Sequence, residues 1–139
     1  ANVITQSHLR GNMIVGIFKL PYEPKASKNH MYGYTKAGRK FIHPQARAWR
    51  KELSNRIQDW RSNNSITLLP GHKVSIVVTC HFPPRGGRRG RKPDAPNFID
   101  LTIDAVKDGL GIDDNSFDCH AINGDSDPGE GYIVCQVEL

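Results

Sequence analysis

Lys73-Val-Ser-Ile-Val-Val-Thr-Cys-His-Phe82 is the stretch on which the fold turns. Its β-branched residues and continuous apolar centre predict a strand in the interior of a sheet, because a strand with one wet face would alternate with polar residues. Upstream of it, Ala46, Trp49, Leu53, Ile57 and Trp60 recur every three or four residues, which predicts a helix whose first turn takes Pro44. Arg47, Arg50, Lys51 and Arg61 fall on its other face. Between residues 25 and 39 the chain is polar, with Gly33 and Gly38 as turn formers and a short hairpin expected around Lys36-Ala37-Gly38. Met13 to Leu20 reads as a strand stopped by Pro21 and Pro24. Residues 1–12 are polar without a usable period, and are expected to be a flexible segment ahead of a single domain over 13–139.

Downstream, a second helix is expected from near Pro96, with Ile99, Ile103, Val106 and Leu110 on one stripe and Phe98, Leu101 and Ala105 widening it. Gly109 and Gly111 are expected to break it. Residues 115–123 and 131–138 read as two strands joined by Gly124-Asp-Ser-Asp-Pro-Gly-Glu130, an antiparallel hairpin. The resulting order, β-α-β-α-β-β, predicts a mixed β-sheet with two helices in an α/β or α+β single domain.

The 139 residues are enough for one core, and 19 Lys and Arg against 14 Asp and Glu give a formal charge of +5. Such a balance suits a polyanion, an anionic surface or simple solubility, so motifs must discriminate. Cys80, Cys119 and Cys135 are odd in number and far apart, a poor disulfide framework, which points to a reducing, cytoplasmic setting. No apolar run approaches the roughly 20 residues that span a bilayer, and no membrane partner is expected.

The segment with the most chemistry is Asp94-Ala-Pro-Asn97-Phe-Ile-Asp100-Leu-Thr-Ile-Asp104, followed by Asp113-Asp114. On a helix Asn97, Asp100 and Asp104 share one edge, and aspartates four apart repel by a few tenths of a kcal/mol. A bound hard cation, Mg²⁺ or Mn²⁺, would relieve that repulsion. A solvated acidic face, with carboxylates favoured near a helix start, is the other reading.

Asp-x-x-Asn, a further Asp seven residues on, then Gly and an Asp-Asp pair resemble the acidic signature of the RusA family of Holliday junction resolvases. Leu20-Pro21, Ser27-Lys28-Asn29, Thr35, Gly38 and the Ala-x-Ala-Trp-Arg helix resemble that family's amino-terminal half, so the likeness runs from Leu20 to Val137. The resemblance implies a Mg²⁺-dependent endodeoxyribonuclease acting on branched DNA, with Asp94 and Asp114 as essential metal-binding carboxylates. It gives Asn97, Asp104 and Asp113 supporting positions. Two departures stand out: Pro96 occupies the place of a further catalytic aspartate, and Asp100 that of a functional lysine. Either Asp100 replaces the missing ligand from one turn away, so that Asp94, Asp100, Asp104 and Asp114 form the site, or the chain is a divergent member with weakened activity.

Arg85, Arg88, Arg89, Arg91 and Lys92 directly precede Asp94, where a cationic loop would hold the phosphate backbone without base preference. Lys28, Asn29 and Lys36, with Lys25, Tyr32 and Tyr34 nearby, offer a second contact. Arg89-Gly-Arg-Lys-Pro93 also resembles an AT-hook, which makes a non-enzymatic DNA-binding protein the main alternative. Cys80-His81 and Cys119-His120 suit a zinc site poorly, since neighbours on a strand point to opposite faces. Residues 123–127 begin like an EF-hand loop, but Pro128 stands where Gly is needed. The aromatic stripe of Trp49 and Trp60 favours burial over a protein-docking role. Paired cuts in a nearly twofold junction make a homodimer the expected assembly, through an apolar surface that the helices leave uncovered.

Overall fold

The computed structural model describes residues 6–10, 13–69, 71–84, 93–113 and 117–139, with side chains in the first of these segments and at Met13 excepted. Five strands, β1 (Gln6–Arg10), β2 (Met13–Pro21), β5 (Val74–His81), β6 (Phe117–Asn123) and β7 (Tyr132–Glu138), form one mixed sheet in the order β1-β2-β7-β5-β6. A separate two-stranded ribbon, β3 (Tyr32–Tyr34) with β4 (Lys40–Ile42), lies where the Lys36-Ala37-Gly38 turn was expected. Helices α1 (Pro44–Asn63) and α2 (Ile99–Leu110) complete the α+β architecture.

The pattern on α1 is the one its spacing predicts: Ala46, Trp49, Leu53, Ile57 and Trp60 are its buried residues. β5 is interior to the sheet, with a partner on each edge, but its burial alternates strictly: Val74, Ile76, Val78 and Cys80 point inward, whereas Ser75, Val77, Thr79 and His81 on the other face are only half-buried. Ile17, Val77, Val134 and Ile122 lie on the face turned away from the helices, Ile122 being 48% exposed.

Four elements differ from expectation. Gln6–Arg10, read as part of a flexible segment, pair antiparallel with β2 as an edge strand. β6 and β7 are not a hairpin: β5 stands between them, parallel to β6 and antiparallel to β7. The connecting turn arches over the end of β5, where Gly124 N donates to Cys80 O (2.9 Å) and Asp127 N to Phe82 O (2.9 Å). The physical reason is that the apolar β5 buries both its edges and its inner face, whereas β6, with exposed Asp118, His120 and Asn123, tolerates an edge. Ala95–Phe98 form a 3-10 turn, so α2 starts at Ile99; its buried face is Leu101, Thr102, Ala105, Val106, Gly109 and Leu110, leaving Ile99 and Ile103 half-buried. Gly109 does not break the helix. A Cβ there would lie 2.7 Å from Ile57 Cβ and 2.8 Å from Ser54 O, so this glycine lets α2 approach α1. Gly111, with φ 68°, ends the helix in the left-handed region.

The three cysteines are free. Burial, with Asp94 nearby, pushes the Cys80 thiol up to about 12; burial, with Asp118, pushes Cys119 to about 11; burial also raises Cys135. A raised folded value means stability that is fully present below the unfolded thiol's ordinary 9.0 and is lost as pH rises through the folded values. The thermal midpoint is therefore expected to fall as pH rises from about 9 to about 11, with a shallower fall in Cys135→Val. A midpoint flat across that window would contradict the burial of the thiols.

Candidate active site

Asp94 stands at the carboxyl-terminal edge of the parallel pair β5–β6, where open α/β sheets commonly present a crevice. Its position depends on Asn123, the last residue of β6 and the neighbour of Cys80 in register. Asn123 Nδ2 donates to Asp94 Oδ1 at 2.8 Å, and Asn123 Oδ1 accepts from Ala95 N at 2.9 Å. One amide thus orients the carboxylate and ties down the turn that leads into α2. Asp94 O accepts from Asn97 N (3.1 Å), and Asn97 O accepts from Lys28 N (2.7 Å), which links this turn to the early loop.

Around Asp94 lies a cleft of about 980 Å³ lined by Tyr22, Ser27, Lys28, Asn29, His30 and Asn97, among others. Ser27 is its buried pivot: Ser27 O accepts from His30 N and Met31 N, each at 2.9 Å, and Oγ accepts from Asn29 N at 3.3 Å. Tyr22 contacts Phe82 and Phe98 ring to ring, and its hydroxyl pKa is raised, first by burial and then by Cys80 and Glu23. The structure therefore unites Asp94, Asn97, Lys28 and Asn29 in one cleft.

The other carboxylates are elsewhere. Asp104 and Asp108 face Arg50 of α1, which donates to Asp108 through Nε (2.7 Å) and NH2 (3.2 Å) and lies 3.8 Å from Asp104. Those bonds raise the Arg50 pKa, the Asp108 hydrogen bond foremost. At Asp104 and Asp108 the repulsion along the acidic edge is relieved by an arginine. Asp113, almost fully exposed, is 3.7 Å from Lys107, a contact of little energetic weight. With Arg50 and Lys107, Asp104, Asp108 and Asp113 line a separate depression of about 480 Å³. Asp100 is exposed on the first turn of α2.

Asp94 and Asp113 belong to opposite ends of the α2–β6 unit, because β6 runs back parallel to β5. The 12 residues of α2 alone span about 18 Å. Among the described residues of one chain, no three His, Cys, Asp or Glu side chains stand close enough to hold a metal ion. Cys119 is half-buried while His120 points outward to Asp118 (3.2 Å), the alternation that disfavours zinc. Asp114 and the basic residues Arg85, Arg88, Arg89, Arg91 and Lys92 lie outside the described residues. Lys36 is exposed in the ribbon turn.

Asn123 and Arg50 escaped the sequence reading. Asn123 is one polar residue before a turn, and only strand pairing brings it to Asp94. Arg50 looks like part of a solvated basic face, and its partner is 58 residues away.

A model for a DNA-cleaving hydrolase, described as Endodeoxyribonuclease RusA, matches residues 21–129. That span covers most of the chain, which belongs to the RusA endodeoxyribonuclease family. No curated protein matches it significantly by sequence. Among solved structures, the periplasmic domain of Helicobacter pylori MotB is similar at 13% identity and TM-score 0.45, covering 91% of this chain and 79% of that one. The OmpA-like domain of FopA1 from Francisella tularensis is similar at 13% identity and TM-score 0.41, covering 99% and 80%. No helix among the described residues is long and apolar enough to cross a membrane.

Proposed function

We propose that this chain cleaves Holliday junctions or related branched DNA by Mg²⁺-dependent phosphodiester hydrolysis, as a twofold homodimer. The observation that carries the reading is the Asp94 carboxylate, oriented by Asn123 in a cleft rimmed by Lys28 and Asn29, in a chain of this nuclease family. Mg²⁺, or Mn²⁺ in its place, suits hard carboxylate oxygens and, when bound, activates water and stabilises charge on the phosphate. Asp94 and Asp114 are the principal proposed ligands, with Asp100 and Asp104 as further carboxylates and Asn97 and Asp113 in support.

One chain leaves Asp94 and Asp113 at opposite ends of the α2–β6 unit, and β6 is an edge strand. A twofold axis beside that edge would run the two copies of β6 antiparallel and bring Asp113 of one protomer, the neighbour of Asp114 in sequence, towards Asp94 of its partner. In this reading the dimer completes the metal site as well as pairing the cuts. Arg85, Arg88, Arg89, Arg91 and Lys92, in the segment joining β5 to Asp94, hold phosphates together with Lys28, Asn29 and Lys36. Membership of a nuclease family favours this use of the basic segment over a free-standing AT-hook.

The test is incubation of a synthetic four-way junction and a linear duplex with Mg²⁺ or with EDTA, scored on a denaturing gel. Paired nicks in the junction alone, absent in EDTA, are expected. Cleavage that persists in EDTA would remove the metal from the mechanism. Binding to A·T-rich duplex without any cleavage would favour the AT-hook alternative.

A further inference from the structure

The ribbon β3–β4 stands outside the main sheet and contributes little to the core, yet it is closely built. Thr35 N donates to Arg39 O and Gly38 N to Thr35 O, both at 2.9 Å, and Arg39 N donates to Thr35 Oγ1 at 3.1 Å, closing its turn. His43 N donates to Met31 O at 2.8 Å and closes its root. That root adjoins the cleft: His30, two residues before β3, lines it with Asp94.

The side chains it displays are of two kinds. Residues 24–43 contain five Lys or Arg and no Asp or Glu. Three aromatic rings are exposed, Tyr32 by 42%, Tyr34 by 68% and Phe41 by 37%. A stable ribbon would be expected to turn such rings inward. Two of the three are partly covered: Lys40 Nζ lies 3.9 Å from the Tyr32 ring, and Phe41 lies across Gly33, where a Cβ would be 2.6 Å from the ring, with His43 edge-on to it. Tyr34, directly opposite Lys40, has no ring or cation stacked on it among the described residues. Lys36, Arg39 and Lys40 belong to the same ribbon and its turn and are exposed there.

An unpaired ring on a segment with five cations and no acidic residue of its own matches the chemistry of single-stranded nucleic acid, where a base stacks on an aromatic face and its phosphates meet cations. A protein partner of ordinary composition would meet no complementary anion from these residues, whereas DNA supplies one per nucleotide. We propose that the ribbon is the element that recognises the branch, with the Tyr34 ring stacking a base left unpaired where strands part, while the adjoining cleft receives the backbone. This rests on the nuclease reading of the Asp94 cleft.

The experiment uses the full chain carrying Asp94→Asn, so that DNA stays intact, and measures binding to a forked DNA and to linear duplex of the same length. Adding Tyr34→Ala should weaken fork binding about tenfold, the weight of one lost base stack, with duplex binding unchanged. Tyr34→Phe should restore it, since stacking needs the ring and not the hydroxyl. With 5-iodouracil at the fork's first unpaired position, irradiation should attach the DNA to a peptide containing Tyr34. Equal losses on fork and duplex, or no loss on either, would overturn the proposal and leave the ribbon a general phosphate contact or a protein-docking surface. If the Asp94→Asn chain with an intact ribbon bound neither DNA, the nuclease reading itself would fail, a result distinct from the loss of fork preference alone.

Discussion

Asp94→Asn is expected to slow junction cleavage by about a thousandfold while leaving junction binding intact, because several kcal/mol of charge stabilisation by a metal ion would be lost with its ligand. The substitution is well suited to the local geometry. Asp94 Oδ1 accepts from Asn123 Nδ2, and an asparagine can offer the same carbonyl oxygen, so the turn into α2 keeps its anchor while the charge disappears. Asp114→Asn, in the pair of residues ahead of β6, should have the same effect. Binding is expected to hold or to tighten as carboxylate repulsion of the phosphates falls. Unchanged turnover in both variants would eliminate the proposed site. Mixing the two inactive proteins tests the shared site: in a mixed dimer one site carries both substitutions and the other carries neither. Nicking should therefore return on subunit exchange. A mixture that stays inactive although exchange occurs would mean that each site is built from a single chain.

Trp60→Ala is expected to cost about 3–5 kcal/mol of stability, the usual range for deleting a buried aromatic side chain. For a chain of this size that is a fall of roughly 10–20 °C in the thermal midpoint. Trp60 is 2% exposed at the end of α1 and meets Phe18 edge to face, with ring centroids 5.6 Å apart. Its indole lies so close to β2 that a Cβ on Gly16 would be 2.6 Å from the ring. The same contact can be tested from the other side, since Gly16→Ala crowds the ring and should cost about 1–3 kcal/mol by overpacking. In the double variant the small side chain at position 60 makes room for the new methyl, so its loss should be less than the sum of the two. Chemical denaturation of the four proteins gives the cycle directly. A neutral Gly16→Ala would contradict this packing.

Several features were legible without coordinates because they depend on periods and short spacings. The stripe on α1 follows from 3.6 residues per turn, and the interior position of β5 from its unbroken apolar centre. The family follows from the order of brief motifs around Asp94, Asn97, Asp104 and the Asp113-Asp114 pair. These signals are local, and each survives whatever the chain does further along. Tertiary structure decided the remainder. Strand neighbours are joined by backbone hydrogen bonds that all residues share, so the polar residues of β6 suit an edge but do not say whether its one neighbour is β7, as in a hairpin, or β5. The same holds for Gln6–Arg10, whose polar sequence suits an edge but does not announce one. Gly109 reads as a helix breaker until Ile57 and Ser54 are packed against it. Most consequential for the site, Asn123 meets Asp94 across 29 positions and Arg50 meets Asp108 across 58. Contacts of that range depend on how whole elements are laid against one another. The identity of the carboxylates is thus a property of the sequence, while their division between two ends of α2 is a property of the fold, because β6 must return parallel to β5 and separates what the chain lists almost side by side.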